Sequence, residues 1–307
     1  MTSQRVTITD VGPRDGLQNQ PKILTIDERL MLVRAIATAQ VPRIEVGSFV
    51  SPKAVPAMAG TDLIFDALAA QSSFQTPTVA LIPNMKGYEF ARDAGAEAVT
   101  MVLYASDGMA QKNAGMNMSE AEDVTVDIVR QANQEGIQVI ATIAVAFECP
   151  FDGPTDPTIV QRTVGKFLQS EVSQVVLADT IGAADPQQVR GLTSTLIKSY
   201  GGERLGCHFH DTRAMGLANV YAALESGIRH FDSSIGGLGG CPFAPGASGN
   251  VATEDVVMML EQMGFDTGID LPLLLEASDL AQSLTGAVSG GRSKVWLQTQ
   301  LQKARWS

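Results

Sequence analysis

Eight short apolar, β-branched runs recur along the 307-residue chain, each followed by a longer segment of helical period. They are VTITDVG (6–12), RIEVGSF (43–49), TPTVALI (76–82), AVTMVLYAS (98–106), QVIATIAVAF (138–147), QVVLADTI (174–181), RLGCHFHD (204–211) and HFDSSIGG (230–237). Several are apolar almost throughout rather than alternating, the pattern of strands covered on both faces. Between them, Thr25 with Glu28 and Ser119 with Glu122 fit the S/T-x-x-E capping box that opens a helix. Leu30, Val33 and Ala37 form one helical stripe, and Val124, Ile128 and Val129 another. Pro157 and Pro186 suit the first turns of two more helices, where a missing N–H costs little.

Eight strand–helix units in series predict an α/β fold closed into a (β/α)8 TIM barrel. A doubly wound open sheet is the alternative that the same alternation permits. A barrel takes about 250 residues as one domain, and no composition break divides the chain. The reading is therefore a single domain over residues 1–307, with the barrel at about 5–262 and a helical extension over 263–307 that includes LPLLLEASDLAQSL.

Composition narrows the function classes. A net charge of -11 opposes nucleic-acid phosphates. No apolar stretch reaches the roughly 18 residues that span a bilayer, and the first residues run directly into a strand, so no membrane segment or leader is expected. Three cysteines, Cys149, Cys207 and Cys241, are too few for a disulfide scaffold and point to a reducing, cytoplasmic setting.

A barrel of this kind carries its chemistry at the carboxyl ends of its strands and in the loops after them. Polar, reactive residues collect there: Arg14 and Asp15 after the first run, Glu45 and Ser48 in the second, Asp179 and Thr180 in the sixth, and His208-Phe209-His210-Asp211 in the seventh. Residues i and i+2 of a strand share a face, so His208 and His210 both point into the mouth. Two imidazoles plus a carboxylate are a common ligand set for Mg2+, Mn2+, Co2+ or Zn2+. Asp15 is the best carboxylate and Asn250 offers an amide oxygen, whereas alternation turns Asp211 away. Cys241 sits in GGLGGCPFAPGASGN (236–250), whose glycines suit a loop that closes over a ligand, while Cys207 reads as strand packing. Arg14 presents a planar, permanently charged fork suited to an oxygen that gains negative charge, steadied by Glu45 or Asp179.

VGPRDGLQN, IEVGSFVSPKAVPAM, ADTIG, HFHDT and GGLGGCPFAPGASGNVATEDVV together resemble the 3-hydroxy-3-methylglutaryl-CoA (HMG-CoA) lyases, metal-dependent carbon–carbon lyases built on a TIM barrel. The resemblance runs in order from the first strand to the eighth unit. It implies that Asp15, His208, His210 and Asn250 hold one divalent cation, Mg2+ or Mn2+ foremost. It implies that Arg14 stabilises an enolate oxygen, that Cys241 acts as acid or base, and that Glu45, Asp179 and the ligands Asp15 and His208 serve proton transfer or polar support. The implied substrate is an acyl-CoA thioester, cleaved to acetyl-CoA and acetoacetate or another 3-oxo acid. Apart from the resemblance, the apolar helix of the C-terminal extension points to a homodimer or larger assembly.

Condensing synthases of the isopropylmalate type, 4-hydroxy-2-oxo acid aldolases, and a retired barrel kept as a binding subunit are the alternatives. Two departures from the family pattern bear on substrate choice. Arg213 and Met215 follow the H-x-H-D motif, and the basic residue expected after LQN is displaced to Lys22.

Overall fold

A computed structural model of the chain describes residues 4–240, 249–287 and 291–304. Eight parallel strands close into a barrel: β1 (Thr7–Asp10), β2 (Arg43–Ser48), β3 (Thr78–Ile82), β4 (Ala98–Tyr104), β5 (Gln138–Ala144), β8 (Gln174–Asp179), β9 (Leu205–Phe209) and β10 (His230–Ser233). Between β5 and β8, β6 (Glu148–Cys149) and β7 (Gly153–Pro154) form a small antiparallel hairpin outside the barrel. The order around the barrel is β1-β10-β9-β8-β5-β4-β3-β2, so the fold is the TIM barrel and not the open sheet. Closure is made by β1 and β10, in register from Thr7 beside His230 to Asp10 beside Ser233.

The helices are α1 (Ile26–Thr38), α2 (Thr61–Ala69), α3 (Met85–Asp93), α4 (Asp107–Ala114), α5 (Met118–Glu135), α6 (Pro157–Gln169), α7 (Pro186–Tyr200), α8 (Gly216–Ser226), α9 (Thr253–Gln262), α10 (Leu271–Thr285) and α11 (Lys294–Ala304). Thr25 and Glu28 form the expected capping box at α1, and Pro157 and Pro186 open α6 and α7. The box at α5 is formed by Asn117 and Glu120, not by Ser119 and Glu122. Ser119 already lies within the first turn, and the buried Glu122 instead takes Arg162 and Lys166 from α6 at 2.9 and 2.8 Å. The main core lies between barrel and helices, where Ile36, Ile64, Ile128, Phe167 and Leu196 meet the outward residues of the strands. Burial of this kind contributes about 25 cal/mol per Å2 of apolar surface.

Two local features shape the mouth. The pairing of β2 with β3 slips by one residue between Glu45 and Gly47, a bulge that re-aims the side chains at the end of β2. Behind it, the buried Arg29 of α1 donates to the carbonyls of Val46 and Ala59 and to Thr61 Oγ1, tying the loop after β2 to the strand. At the end of β5, Val145 holds φ at 51°, a costly region for a β-branched residue. It is fixed there by Thr180 Oγ1, which accepts from its N–H at 2.8 Å, and by Thr155 Oγ1, which donates to its carbonyl at 2.7 Å.

Candidate active site

The stretch GPRDG (12–16) wraps a single π-type turn at the end of β1. The N–H groups of Arg14, Asp15 and Gly16 converge on the Val11 carbonyl, at 3.1, 2.7 and 3.2 Å. Its flanking glycines are dictated by the end of β10. A Cβ on Gly12 would stand 2.7 Å from Ile235 Cγ2, and one on Gly16 would stand 2.8 Å from Ser234 Oγ. The turn therefore lies tight against β10 and delivers both charges into the barrel mouth.

Once there, Arg14 Nε donates to Glu45 Oε2 at 2.5 Å and Arg14 Nη1 donates to Asp15 Oδ1 at 2.6 Å. Gln18 adds a third contact, donating to Asp15 Oδ1 at 3.0 Å. His208 and His210 face the same space with ring centres 5.2 Å apart, and His210 Nε2 lies 3.9 Å from Asp15 Oδ2. One ligand atom from each of Asp15, His208 and His210 falls within 4.8 Å of the others. Asn250 is brought alongside by a short antiparallel bridge to His210, in which Val251 N–H donates to the Phe209 carbonyl and Asp211 N–H to the Gly249 carbonyl. Its Nδ2 donates to Asp15 Oδ2 at 2.7 Å and to the Leu238 carbonyl at 3.1 Å.

The donor set fits a divalent cation. Asn250 Oδ1 and His210 Nδ1 are buried with no hydrogen-bond partner among the described residues, an arrangement that is costly unless something else uses those lone pairs. Burial pushes the Asp15 carboxyl up, but Arg14, the two imidazoles and Asn250 outweigh it and hold it at about 2. Burial beside His208 drives His210 down to about 4, so its ring is neutral near pH 7. An ionised carboxylate, a neutral imidazole and a free amide oxygen are what a hard or borderline dication binds.

Other expected residues fall elsewhere. The Asp179 carboxylate accepts from the backbone N–H groups of Ala183 and Ala184 at 2.8 and 3.1 Å, bracing the loop after β8. Burial raises it to about 6 against those two bonds. It is Glu45, not Asp179, that steadies Arg14. Asp211 accepts from Gly216 N–H at 2.9 Å and pairs with Arg292 at 3.1 Å. Cys207 is fully buried and its thiol is pushed up by that burial, as suits packing. Cys241 lies outside the described residues.

The two departures also resolve structurally. Lys22 is used up by Glu28 Oε1 at 2.7 Å and by the Leu284 carbonyl in the last turn of α10 at 2.8 Å. Arg213 donates to the carbonyls of Gly182, Ala183 and Ala184, latching the loop after β9 to the loop after β8.

Sequence reasoning missed Asp232 and Gln18. Asp232 stands beside His208 in the β9–β10 ladder, and its Oδ2 lies 3.4 Å from His208 Nδ1. Burial lowers His208, but this carboxylate reverses the direction and raises it. The signal was the lone acid of β10, legible only once that strand is known to pair with β9.

Comparison with known proteins now bears on this geometry. The family model described as HMGL-like matches residues 5–281. The chain belongs to the HMGL-like family. Among curated HMGL-like relatives, the (R)-citramalyl-CoA lyase of Chloroflexus aurantiacus is 40% identical over 291 residues, covering 92% of each chain. The 3-hydroxy-3-isohexenylglutaryl-CoA/hydroxy-methylglutaryl-CoA lyase of Pseudomonas aeruginosa is 38% identical over 293 residues, covering 94% of this chain and 96% of that protein. A crystal structure of hydroxymethylglutaryl-CoA lyase from Pseudomonas aeruginosa superposes with a TM-score of 0.91 at 37% identity, over 98% of this chain and all of that one. HMGL-like relatives with these names are carbon–carbon lyases, and the chain shares their barrel from end to end. No described helix is long and apolar enough to cross a membrane.

Proposed function

We propose that the protein is a divalent-metal-dependent lyase that cleaves 3-hydroxy-3-methylglutaryl-CoA, or a close 3-hydroxy-3-alkylglutaryl-CoA, to acetyl-CoA and acetoacetate or the corresponding 3-oxo acid. The observation that carries it is the convergence of Asp15, His208 and His210 beside the Arg14–Glu45 pair at the carboxyl end of the barrel. Asp15, His208, His210 and Asn250 would hold the cation, Mg2+ or Mn2+ foremost. When bound, it supplies charge that acidifies a tertiary hydroxyl and polarises an acyl oxygen.

The reaction breaks the C2–C3 bond. The C3 hydroxyl loses its proton, C3 becomes a ketone, and the bonding pair moves to C2 and the thioester oxygen as an enolate. Arg14 is aimed by Glu45 and offers its remaining N–H groups to that oxygen. Burial, with Asp232 and Asp15 nearby, pushes Glu45 up against the pull of Arg14, which suits a group that passes a proton. Cys241, assigned by the family resemblance alone, returns a proton to C2. Asp179 supports the site through the loop it braces.

A second reading rests on the Chloroflexus relative. In citramalyl-CoA the carboxylate sits directly on C3, and the same bond cleavage would give acetyl-CoA and pyruvate. Incubation with both thioesters, with and without EDTA, separates the readings by the oxo acid released, and no acetyl-CoA from either would reject the lyase assignment. The single-domain organisation, a cytoplasmic setting suited to the free thiols of Cys149 and Cys207, and self-association through α11, where Val295 and Trp296 are exposed, belong to the same reading.

A further inference from the structure

Barrels of this class normally fill their interior with stacked layers of side chains. Among the described residues, a cavity of about 810 Å3 runs down from the mouth past His208 and Asp232 and reaches Thr9 and Gln174. On the lyase reading it must hold both the pantetheine arm and the acyl group, and the acyl group takes the deep end beside the cation ligands. Part of the floor there is apolar, from Val79 and Ile140, while Thr100 and Thr142 line the facing strands with hydroxyls. Thr9 and Gln174 differ from the rest because one buried cation joins them. Arg43 Nε donates to Thr9 Oγ1 at 3.0 Å, and Arg43 Nη2 donates to Gln174 Oε1 at 2.9 Å. An arginine only donates, so these bonds fix what each partner has left to offer. What remains is the Thr9 O–H and the two N–H bonds of Gln174 Nε2, none of which meets an acceptor among the described residues. Gly206 keeps room beside the amide, since a Cβ there would stand 3.0 Å from Gln174 Nε2.

Arg43 itself is left without a counter-charge in contact. Burial pulls its guanidinium below the ordinary value, and the nearby Asp232 and Glu45 only partly restore it. Neither forms an ion pair with it among the described residues: Glu45 is taken by Arg14 at 2.5 Å, and Asp232 is turned to His208 Nδ1 at 3.4 Å. A buried charge in this position is costly unless an opposite charge answers it. Resting on the lyase reading, we propose that Thr9 and Gln174 receive the carboxylate of the acyl group at the cavity floor, and that Arg43 is the positioning residue that aims them and supplies the counter-charge. The strand register places the pair close to the cation ligands, since Thr9 stands beside Asp232 on β10 and Asp232 beside His208 on β9. With the C3 hydroxyl at those ligands and the thioester oxygen at Arg14, the carboxymethyl arm is the charged part of the acyl group still to be placed. It cannot be desolvated on Val79 or Ile140, which offer no partner. At Thr9 and Gln174 it accepts charge-assisted hydrogen bonds from donors already aimed.

The test is equilibrium binding of two thioesters to the Mg2+-loaded full chain, read by titration calorimetry. 3-Hydroxyglutaryl-CoA and 3-hydroxybutyryl-CoA differ only in the carboxylate. The wild type should bind the first at least about tenfold more tightly. Arg43→Met and Gln174→Leu should each weaken 3-hydroxyglutaryl-CoA by about tenfold or more and leave 3-hydroxybutyryl-CoA within about twofold. Weakening shared equally by both ligands would reduce Arg43 and Gln174 to packing and overturn the proposal. No weakening in a folded variant, or a wild type that binds the two thioesters alike, would overturn it too. Gln174→Leu decides the matter if Arg43→Met fails to fold. Turnover of HMG-CoA is measured separately on the wild type: its absence would reject the lyase reading, whereas turnover without carboxylate preference would reject the floor site alone.

Discussion

Asp232 Oδ2 lies 3.4 Å from His208 Nδ1, and the β9–β10 register makes these two residues neighbours. With Nδ1 turned to a carboxylate, His208 presents its other ring nitrogen to the space it shares with Asp15 and His210. Carboxylates in this position orient a ligating imidazole and raise its basicity. Asp232→Asn should weaken Mn2+ binding by about 10- to 100-fold, read from free Mn2+ by electron paramagnetic resonance. Unchanged affinity in a folded variant would remove Asp232 from the site.

Cation binding should also be visible as stability. A ligand at 100 times its Kd stabilises the folded state by about 2.7 kcal/mol. Mg2+ or Mn2+ should therefore raise Tm by several degrees in protein stripped with EDTA, and turnover should return with it. In Asp15→Ala the rise should vanish. A rise that persists there would place the cation elsewhere.

Arg14 and Glu45 should behave as one unit. Removing a donor aimed at a developing oxyanion costs roughly 10²–10³ in kcat, so Arg14→Met should fall in that range. Glu45→Gln frees the guanidinium and should lower kcat more than it raises KM. The double variant should be little worse than Arg14→Met alone. Additive losses would mean that Glu45 acts independently of Arg14.

Asp10 gives a stability signature. It is fully buried, and desolvation with Glu254 nearby pushes its carboxyl to about 7, against bonds from Gly12 N–H and Thr253 Oγ1. Unfolded, it titrates near 3.8. The folded state thus holds the proton more tightly. Its contribution is complete below pH 4 and is lost as pH rises through 7, an interval corresponding to about 4 kcal/mol. Relative to Asp10→Asn, the wild type should lose urea midpoint between pH 4 and 7 and run parallel above it. A difference that does not change with pH would mean that Asp10 stays ionised throughout.

The barrel was legible because apolar runs and capping signals are local. Every expected strand is present, trimmed mostly at its carboxyl end, since residues such as Val11 and Phe147 stay buried after the ladder stops. Local pattern misled at Ser119, where Asn117 two residues earlier offered a better cap. It was silent on α4 and on the β6–β7 hairpin, which carry no strong periodicity. At the site, Asp15, His208, His210 and Asn250 could be read as neighbours from their places at or after the carboxyl ends of strands. Asp232 and Gln18 could not, because their roles depend on register and on the turn of GPRDG.

Asn250 Nδ2 reaches Asp15 Oδ2 across 235 positions of sequence. The cluster of Asp15, His208, His210 and Asn250 thus draws on both ends of the chain and exists only after β1 and β10 have closed the ring. Such long-range pairing is slow to form. On the metal reading proposed above, a nascent chain still short of Asn250 would hold no complete pocket, so cation binding would follow closure of the ring. A truncated product carrying β1 to β8 would lack His208 and His210 as well, and would be inert toward metal and thioester alike.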